Sequence, residues 1–149
     1  MQRTRERAIR VLVVEDEPLV VEMLVGMLQE LAYGLAGVAH DGAQAVEMTQ
    51  ALRPDVVLMD IGLTRINGID AASKIQEVCP TPIIILTAYA GRDMLTQAVE
   101  AGVGAYLIKP PNRSELENAI TTVLARFADL QTLRHLNDQL QAEIVARQQ

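Results

Sequence analysis

The stretch Val11-Leu-Val-Val-Glu-Asp-Glu-Pro18 decides the fold of this chain. Four consecutive aliphatic residues lead into three acidic ones, and Pro18 then stands at the start of a helix-length segment. A continuous apolar run is typical of a parallel strand that is buried on both faces, and proline is favoured in the first turn of a helix. The stretch therefore predicts a buried strand, an acidic strand end and a helix, in that order.

The same unit of strand and helix recurs along the rest of the chain. Two of the later helices begin with the pattern of a capping box, at Asp41 with Gln44 and at Ser114 with Glu117. Strands that alternate with helices form crossover connections and pack in three layers, so we expect an α/β three-layer sandwich around a parallel sheet. The predicted strands cover residues 11–14, 35–39, 56–59, 83–86 and 105–108, and the predicted helices cover 18–31, 41–52, 68–78, 92–101 and 114 onward.

Composition excludes several classes of protein. The 149 residues have a formal charge of −6, and residues 11–111 hold thirteen acidic against five basic side chains, which argues against direct binding to nucleic acid. Aromatic residues make up only 3% of the chain, too few for a base-stacking surface. The single cysteine, Cys79, rules out an internal disulfide. The sequence has neither an apolar run of membrane length nor a secretory signal pattern, so we expect a cytoplasmic protein without membrane contact.

The last predicted helix has no stop signal, because the sequence runs from Ser114 to Gln149 without glycine or proline. From Leu130 onward, apolar residues recur with the heptad spacing of a coiled coil, and Asn137 occupies one of its a positions. One interpretation is a projecting coil that joins two copies of the chain through residues 130–149. The other is an amphipathic helix folded back on the body. A helix that reaches the last residue also suggests an output domain beyond it.

Acidic residues follow two of the predicted strands: Glu15 and Asp16 follow the first, and Asp60 follows the third. In an open parallel sheet, ligands bind beyond the carboxyl ends of the strands, near the point where the strand order reverses. Carboxylates brought together repel one another unless a cation offsets their charge, and an all-oxygen set suits a hard ion such as Mg²⁺ or Mn²⁺. We therefore expect these three residues to form a divalent metal site.

A hydroxyl and an ammonium follow the last two predicted strands. Thr87 comes directly after the fourth apolar run and Lys109 after the fifth, in a chain with only one other lysine. A lysine there can pair with a carboxylate and with an anion bound beside it, and a threonine can donate to the same anion. With the acidic residues, these side chains predict a phosphoryl-transfer site that combines a nucleophilic carboxylate, a metal and two groups holding the transferred oxygens.

In order and spacing, Glu15-Asp16, Asp60, Thr87 and Lys109-Pro110 resemble the receiver domain of bacterial two-component response regulators. The resemblance covers residues 9–128. It implies a flavodoxin-like fold with five parallel strands in the order 2-1-3-4-5 and five helices. It also implies that Asp60 accepts a phosphoryl group from a histidine kinase or a phosphotransfer protein.

The resemblance further implies a ligand set for the metal. Asp16, Asp60 and the backbone carbonyl of Gly62 would bind Mg²⁺, with Glu15 acting directly or through water. The bond between Lys109 and Pro110 would be cis, a conformation found almost only before proline.

The same resemblance implies a switch around the phosphoacceptor. Lys109 would contact the phosphoryl oxygens, and Thr87 would move toward them. Tyr106 would then swing inward as an aromatic switch, although a half-buried core ring is the simpler interpretation of a tyrosine on the fifth strand. Ala88 is small enough to leave room for the phosphoryl group, and Tyr89 and Gly62 occupy positions whose side chains influence its lifetime.

The resemblance divides the chain into a basic tail of residues 1–8, a receiver domain of residues 9–128, and a helical extension or coiled-coil linker of residues 129–149. It implies a phosphorylation switch that controls a partner or output module and catalyses only its own phosphorylation and dephosphorylation. The main alternative is a pseudo-receiver that acts without phosphorylation as a dimerisation or protein-interaction module.

Two other classes of protein lack a residue pattern that they need. An aspartyl phosphatase would need a second acid where Gly62 stands, and a flavodoxin-like cofactor binder would need a phosphate cradle in place of Asp16-Glu-Pro18.

Overall fold

The computed structural model describes residues 8–62, 67–88 and 91–148. Most of the predicted basic tail and the predicted site residue Tyr89 lie outside these ranges. In the described ranges, five strands alternate with five helices. The strands are β1 (Arg10–Val14), β2 (Gly34–Ala39), β3 (Val56–Asp60), β4 (Ile83–Thr87) and β5 (Ala105–Ile108). The helices are α1 (Pro18–Glu30), α2 (Gly42–Leu52), α3 (Gly68–Val78), α4 (Arg92–Glu100) and α5 (Arg113–Arg147).

The five strands form one parallel sheet in the order β2-β1-β3-β4-β5, which confirms the expected topology. From β1 the chain leads outward to β2 and then returns to β3 on the other side of β1. The strand order therefore reverses between β1 and β3, whose paired residues include Val14 and Met59 near their carboxyl ends. This reversal opens the crevice in which such sheets bind ligands.

The prediction of strands buried on both faces is right for three strands and wrong for two. All residues of β3 and β4 are buried, as are all residues of β1 after Arg10. The edge strands β2 and β5 are only partly covered, and Leu35, Tyr106 and Ile108 are each more than two-fifths exposed. An apolar run in the sequence does not reveal whether its strand will have neighbours on both sides.

Two apolar clusters, one on each face of the sheet, make the structure three-layered. One cluster joins the sheet to α2 and α3, with Ile75 fully buried at its centre. The other joins the sheet to α1 and the first half of α5 through residues such as Leu24, Leu116 and Ile120. This arrangement confirms the three-layer sandwich.

Helix α2 begins at the predicted N-cap. The side chain of Asp41 accepts a hydrogen bond from the backbone N–H of Gln44 at 2.8 Å. The side-chain oxygen of Gln44 accepts a hydrogen bond from the backbone N–H of His40 at 2.7 Å, one residue before the N–H of Asp41 that a capping box would use. Both bonds satisfy N–H groups near the helix start that would otherwise lack partners.

The prediction of the capping box on α5 is wrong by two residues. Asn112, not Ser114, is the N-cap, and its side chain accepts from the N–H of Glu115 while the Glu115 carboxylate accepts from the N–H of Asn112. The sequence offers two overlapping patterns of this kind. The earlier one is used because the backbone is still extended at Asn112, whereas Ser114 already lies within the helix.

Helix α5 continues as one element of 35 residues, well past the edge of the sheet. Its buried residues end at Val123, and every residue in 128–148 is exposed. An unbroken helix cannot fold back on the body, so this alternative is wrong. None of the helices in the described parts of the chain is both long and apolar enough to cross a membrane.

Candidate functional site

Three acidic side chains meet where β1 and β3 end. Glu15 and Asp16 directly follow β1, and Asp60 is the last residue of β3. Each of the three offers a carboxylate oxygen, and these oxygens lie within 4.8 Å of one another. The backbone N–H of Glu15 also bonds to the carbonyl of Ala39 at 3.0 Å, which extends the pairing of β1 with β2 to the start of the site. The cluster predicted from the sequence is therefore assembled by the sheet itself.

Lys109 joins this cluster from β5, on the other side of β4. Its Nζ lies 3.2 Å from Oδ1 of Asp60 and 3.5 Å from Oε1 of Glu15. The backbone N–H of Lys109 donates to the carbonyl of Thr87 at 2.7 Å, and this bond holds the Lys109 backbone beside the end of β4. The bond to Pro110 is cis, as the resemblance implied. Burial alone would lower the pKa of the Lys109 ammonium, but Asp60 and Glu15 together raise it.

Glu15 is the most enclosed member of the cluster, with no exposed surface. Its Oε2 accepts from the backbone N–H of Glu17 at 3.3 Å. Among the described residues, its Oε1 has no hydrogen-bond partner and only the Lys109 ammonium lies at ion-pair distance. Burial, followed by the nearby carboxylate of Asp60, raises the pKa of Glu15. A buried carboxylate oxygen with an unused lone pair is the type of atom that a cation would bind.

The charges and donor atoms of the cluster fit a divalent cation. Within the described part of the chain, three carboxylates stand against one ammonium, which leaves two negative charges to be offset. All the side-chain ligands are oxygens, which Mg²⁺ and Mn²⁺ prefer. Asp16 is only partly buried, so one side of the cluster remains open to solvent. The residues present therefore match the metal that the sequence predicted.

The backbone after Asp60 is shaped by two glycines. The N–H of Gly62 donates to Oδ1 of Asp60 at 3.1 Å, which orients that carboxylate. Gly68 starts α3 so close to the strand end that a Cβ on it would lie 2.7 Å from both the Asp60 carbonyl oxygen and the Ile61 Cα. Backbone atoms cannot yield to such a contact, so only glycine allows α3 to begin at this distance. Gly68 is thus a structural requirement of the site.

Thr87 borders an open groove of ≈450 Å³ that lies between the end of β4 and the start of α4. It ends β4, is only 4% exposed, and shares the groove with Ile61 from the loop after β3. Ala88, the next residue, is exposed. The groove also contains the first turn of α4, including Arg92 and Asp93, which sequence reasoning missed. The sequence indicates them only by their position, because they follow Thr87 by five and six residues and stand at the start of a predicted helix.

Tyr106 lies away from the acidic cluster. Its ring is 43% exposed on the edge strand β5, where it borders a groove of ≈440 Å³ with Val99 from α4 and Arg126 from α5. The simpler interpretation of the sequence, a half-buried ring on the fifth strand, describes this position. Tyr106 is two residues before Ile108, which pairs in register with Thr87, so the predicted switch residues lie on adjacent strands.

Comparisons with known proteins point to one protein family. The sequence profile of the response regulator receiver domain matches residues 11–121. The transcriptional regulatory protein PdtaR of Mycobacterium tuberculosis is 44% identical over 124 residues, which are 83% of this chain and 60% of that protein. The chemotaxis protein CheY of Thermotoga maritima is 36% identical over 115 residues, which are 76% of this chain and 96% of CheY.

Solved structures of receiver domains also resemble this chain. The signal receiver domain of a modulated diguanylate cyclase from Desulfovibrio desulfuricans superimposes with a TM-score of 0.76 and 30% sequence identity. The superposition covers 82% of this chain and 98% of that domain. The fold of the sheet and helices therefore recurs in that receiver domain.

Proposed function

Because the chain belongs to the response-regulator receiver family, we propose that it is a cytoplasmic phosphoacceptor of two-component signalling, phosphorylated on Asp60. The donor is the phosphohistidine of a histidine kinase or of a phosphotransfer protein. One observation carries the proposal: the Asp60 carboxylate lies 3.2 Å from the Lys109 ammonium, inside an acidic cluster that fits a divalent cation. The only reactions that we propose for the chain itself are its own phosphorylation and dephosphorylation.

The transfer step uses the Asp60 carboxylate as nucleophile. One of its oxygens attacks phosphorus, the bond from phosphorus to the donor imidazole nitrogen breaks, and that nitrogen keeps the bonding pair. A proton on the other ring nitrogen leaves the imidazole neutral. At 7% exposure Asp60 keeps only limited contact with water, and the N–H of Gly62 holds Oδ1 in one orientation. Both features support attack in a defined direction.

Charge is the main obstacle to this reaction, because an anionic phosphoryl group has to approach several carboxylates. Glu15, Asp16, Asp60 and the backbone carbonyl of Gly62 would hold Mg²⁺ or Mn²⁺, whose positive charge would offset the carboxylates and the phosphoryl oxygens. Lys109 provides a second positive charge, and its position beside Asp60 allows its Nζ to move from the carboxylate to a phosphoryl oxygen.

Phosphorylation would then be communicated through β4 and β5. It adds negative charge and three acceptor oxygens at Asp60, the last residue of β3, and Thr87 is the last residue of the neighbouring strand β4. A shift of Thr87 toward the phosphoryl group frees space on the sheet, into which the half-exposed ring of Tyr106 turns. The surface of α4, β5 and α5 changes as a result, and a partner or an output module responds to it.

The direct test is phosphorylation of the purified chain by acetyl phosphate in the presence and absence of Mg²⁺, followed by mass spectrometry. We expect Mg²⁺-dependent gain of one phosphoryl group on Asp60. Asp60→Asn should gain none, whereas Asp138→Asn, the same chemical change on the exposed part of α5, should behave as the unchanged chain. Wild-type protein that takes up no phosphoryl group, while binding partners normally, would instead support the pseudo-receiver alternative.

A second measurement separates phosphorylation from the response to it. Beryllofluoride with Mg²⁺ mimics the phosphoryl group, and NMR shift changes around Tyr106 report the response. We expect Thr87→Ala to keep binding beryllofluoride but to lose most of the shift changes on β5. If those changes persist at full size in Thr87→Ala, the proposed route through Thr87 is wrong.

A further inference from the structure

The projecting part of α5 carries an apolar stripe that the described part of the chain leaves largely exposed, although Leu130 at its start borders a groove with Gln76 and Gly102. Leu130, Leu133, Leu140 and Ile144 are each 49–61% exposed, and Asn137 lies among them. Their separations alternate between three and four residues, which is the seven-residue repeat of a coiled coil. In this repeat, Leu130, Asn137 and Ile144 hold the a positions, and the other two leucines hold d positions. A continuous apolar stripe of this kind marks an interaction surface.

We propose that this stripe is covered by the same stripe of a second copy of the chain, in a parallel two-stranded coiled coil. The proposal goes beyond the phosphoacceptor function and does not depend on it. Asn137 is the first reason for choosing a second copy in parallel. In such a pair each a residue faces its own counterpart, so one Asn137 amide donates to the other. Against an apolar partner, the same amide would be buried without a hydrogen bond, which is costly.

Charge complementarity is the second reason. Asp129 holds a g position and Arg134 the e position of the next heptad, and both are exposed. In a parallel coiled coil, a g residue faces the following e residue of the other helix. Asp129 of each copy would therefore oppose Arg134 of the other copy, twice in the dimer because of its two-fold symmetry. An antiparallel pair would not bring these two charges together.

The stripe is also continuous with a surface of the body. One heptad before Leu133, the d position is held by Arg126, which borders the groove shared with Val99 and Tyr106. Val99 is 72% exposed on this surface. At Arg126 the d side of α5 thus borders α4 and the edge strand β5. A parallel dimer would bring the same edge of the two bodies together.

The proposed coil is short, so we expect weak association, with a Kd on the order of micromolar. Short helices are normally limited by the cost of nucleation. This cost does not apply to residues 130–147, because α5 is already nucleated by its packed first half, where Leu116 and Ile120 are fully buried. Only the pairing itself has to be favourable.

Sedimentation equilibrium of the full chain over a concentration series tests the existence of the dimer. We expect a monomer–dimer equilibrium that Leu133→Asp with Leu140→Asp weakens at least 100-fold. The matched control Val145→Asp, on the outer side of the same helix, should leave the equilibrium within two-fold of wild type. Wild-type protein that stays monomeric at every concentration would overturn the proposal, as would a trimer.

Disulfide trapping tests the orientation. In a Cys79→Ser background, chains with Leu130→Cys should cross-link to each other, and so should chains with Ile144→Cys. A mixture of the two variants should give few mixed cross-links, because the positions are about 21 Å apart along the helix. Predominantly mixed cross-links would show an antiparallel pair and contradict the proposal. Trapping should proceed equally with Asp60→Asn added, which keeps this result independent of phosphorylation.

The charge pair offers a test that does not depend on new cysteines. Asp129→Arg alone should weaken dimerisation several-fold by placing two positive charges opposite each other. Adding Arg134→Asp should restore the wild-type equilibrium, because the pair is then reversed. If the double variant is no better than the single one, these residues do not face each other and the parallel register is wrong.

Discussion

The two halves of α5 have similar sequence patterns but different surroundings. In the first half, Leu116, Ile120 and Val123 are buried against the sheet. In the second half, Leu133 and Leu140 recur at a similar spacing and are more than half exposed. The helix does not change at the boundary, but the sheet beneath it ends. Apolar periodicity therefore identifies the face of a helix that will be covered, and does not identify what covers it.

The largest expected effect sharpens this comparison directly. Ile120→Ala removes a fully buried side chain from the first half of α5 and should lower the free energy of unfolding by about 2–5 kcal/mol. Val145→Ala removes a 53% exposed side chain from the second half and should change it by less than about 0.5 kcal/mol. Urea denaturation of both variants measures the two values. Equal losses would mean that the second half is packed after all.

The chain's two lysines allow a buried ion pair to be compared with an exposed one. Lys109→Gln leaves Glu15 and Asp60 without their counter-charge and should cost about 2–3 kcal/mol, less than for a fully buried pair because the Lys109 side chain is 23% exposed. Millimolar Mg²⁺ should restore part of this loss, since it offsets the same carboxylates. Lys74→Gln, where the lysine pairs with an exposed glutamate, should change little.

Thermal unfolding with Mg²⁺ and with EDTA measures this pair of variants. Mg²⁺ should raise the melting temperature of Lys109→Gln more than that of wild type or Lys74→Gln. An identical Mg²⁺ effect on all three proteins would show that the metal does not bind at the carboxylates near Lys109.

A pair of glycines tests the close approach at the site. Gly68→Ala places a Cβ 2.7 Å from backbone atoms at the end of β3 and should cost about 1–3 kcal/mol. Gly26→Ala, in the interior of α1, meets nothing within 4 Å and should stabilise the protein by about 0.5–1 kcal/mol. Denaturant titration gives both values. A neutral Gly68→Ala would indicate that α3 can start further from β3.

The smallest effect concerns the start of α5. Asn112→Ala removes the side-chain oxygen that accepts from the backbone N–H of Glu115 and should cost about 1 kcal/mol. Ser114→Ala, at the position that the sequence pattern favoured, should cost less than about 0.5 kcal/mol, because Ser114 is already inside the helix. Urea denaturation measures both losses. A larger loss for Ser114→Ala than for Asn112→Ala would mean that Ser114 is the N-cap, as the sequence pattern predicted.

Most of the fold and most of the site were predictable from the sequence. Strand ends determine where Glu15, Asp16, Asp60, Thr87 and Lys109 lie along the chain, and a parallel sheet brings its carboxyl ends to one edge. The wrong predictions concern places where two local sequence patterns overlap, or where burial depends on whether a strand has a neighbour on both sides. The capping box of α5 is of the first kind, and the exposure of β2 and β5 is of the second.

What the sequence alone determined is the order of elements, the acidic strand ends and the repeat along α5, because each depends on residues that are close together in the chain. Only the tertiary structure decided the distances between side chains that are far apart in sequence and which apolar surfaces are buried. Lys109 and Glu15 are 94 residues apart, and only the sheet brings their side chains to 3.5 Å. The same holds for the fit of Gly68 against the end of β3 and for the outward position of Tyr106. Contacts of this kind depend on how elements that are distant in sequence pack together, which no local pattern contains.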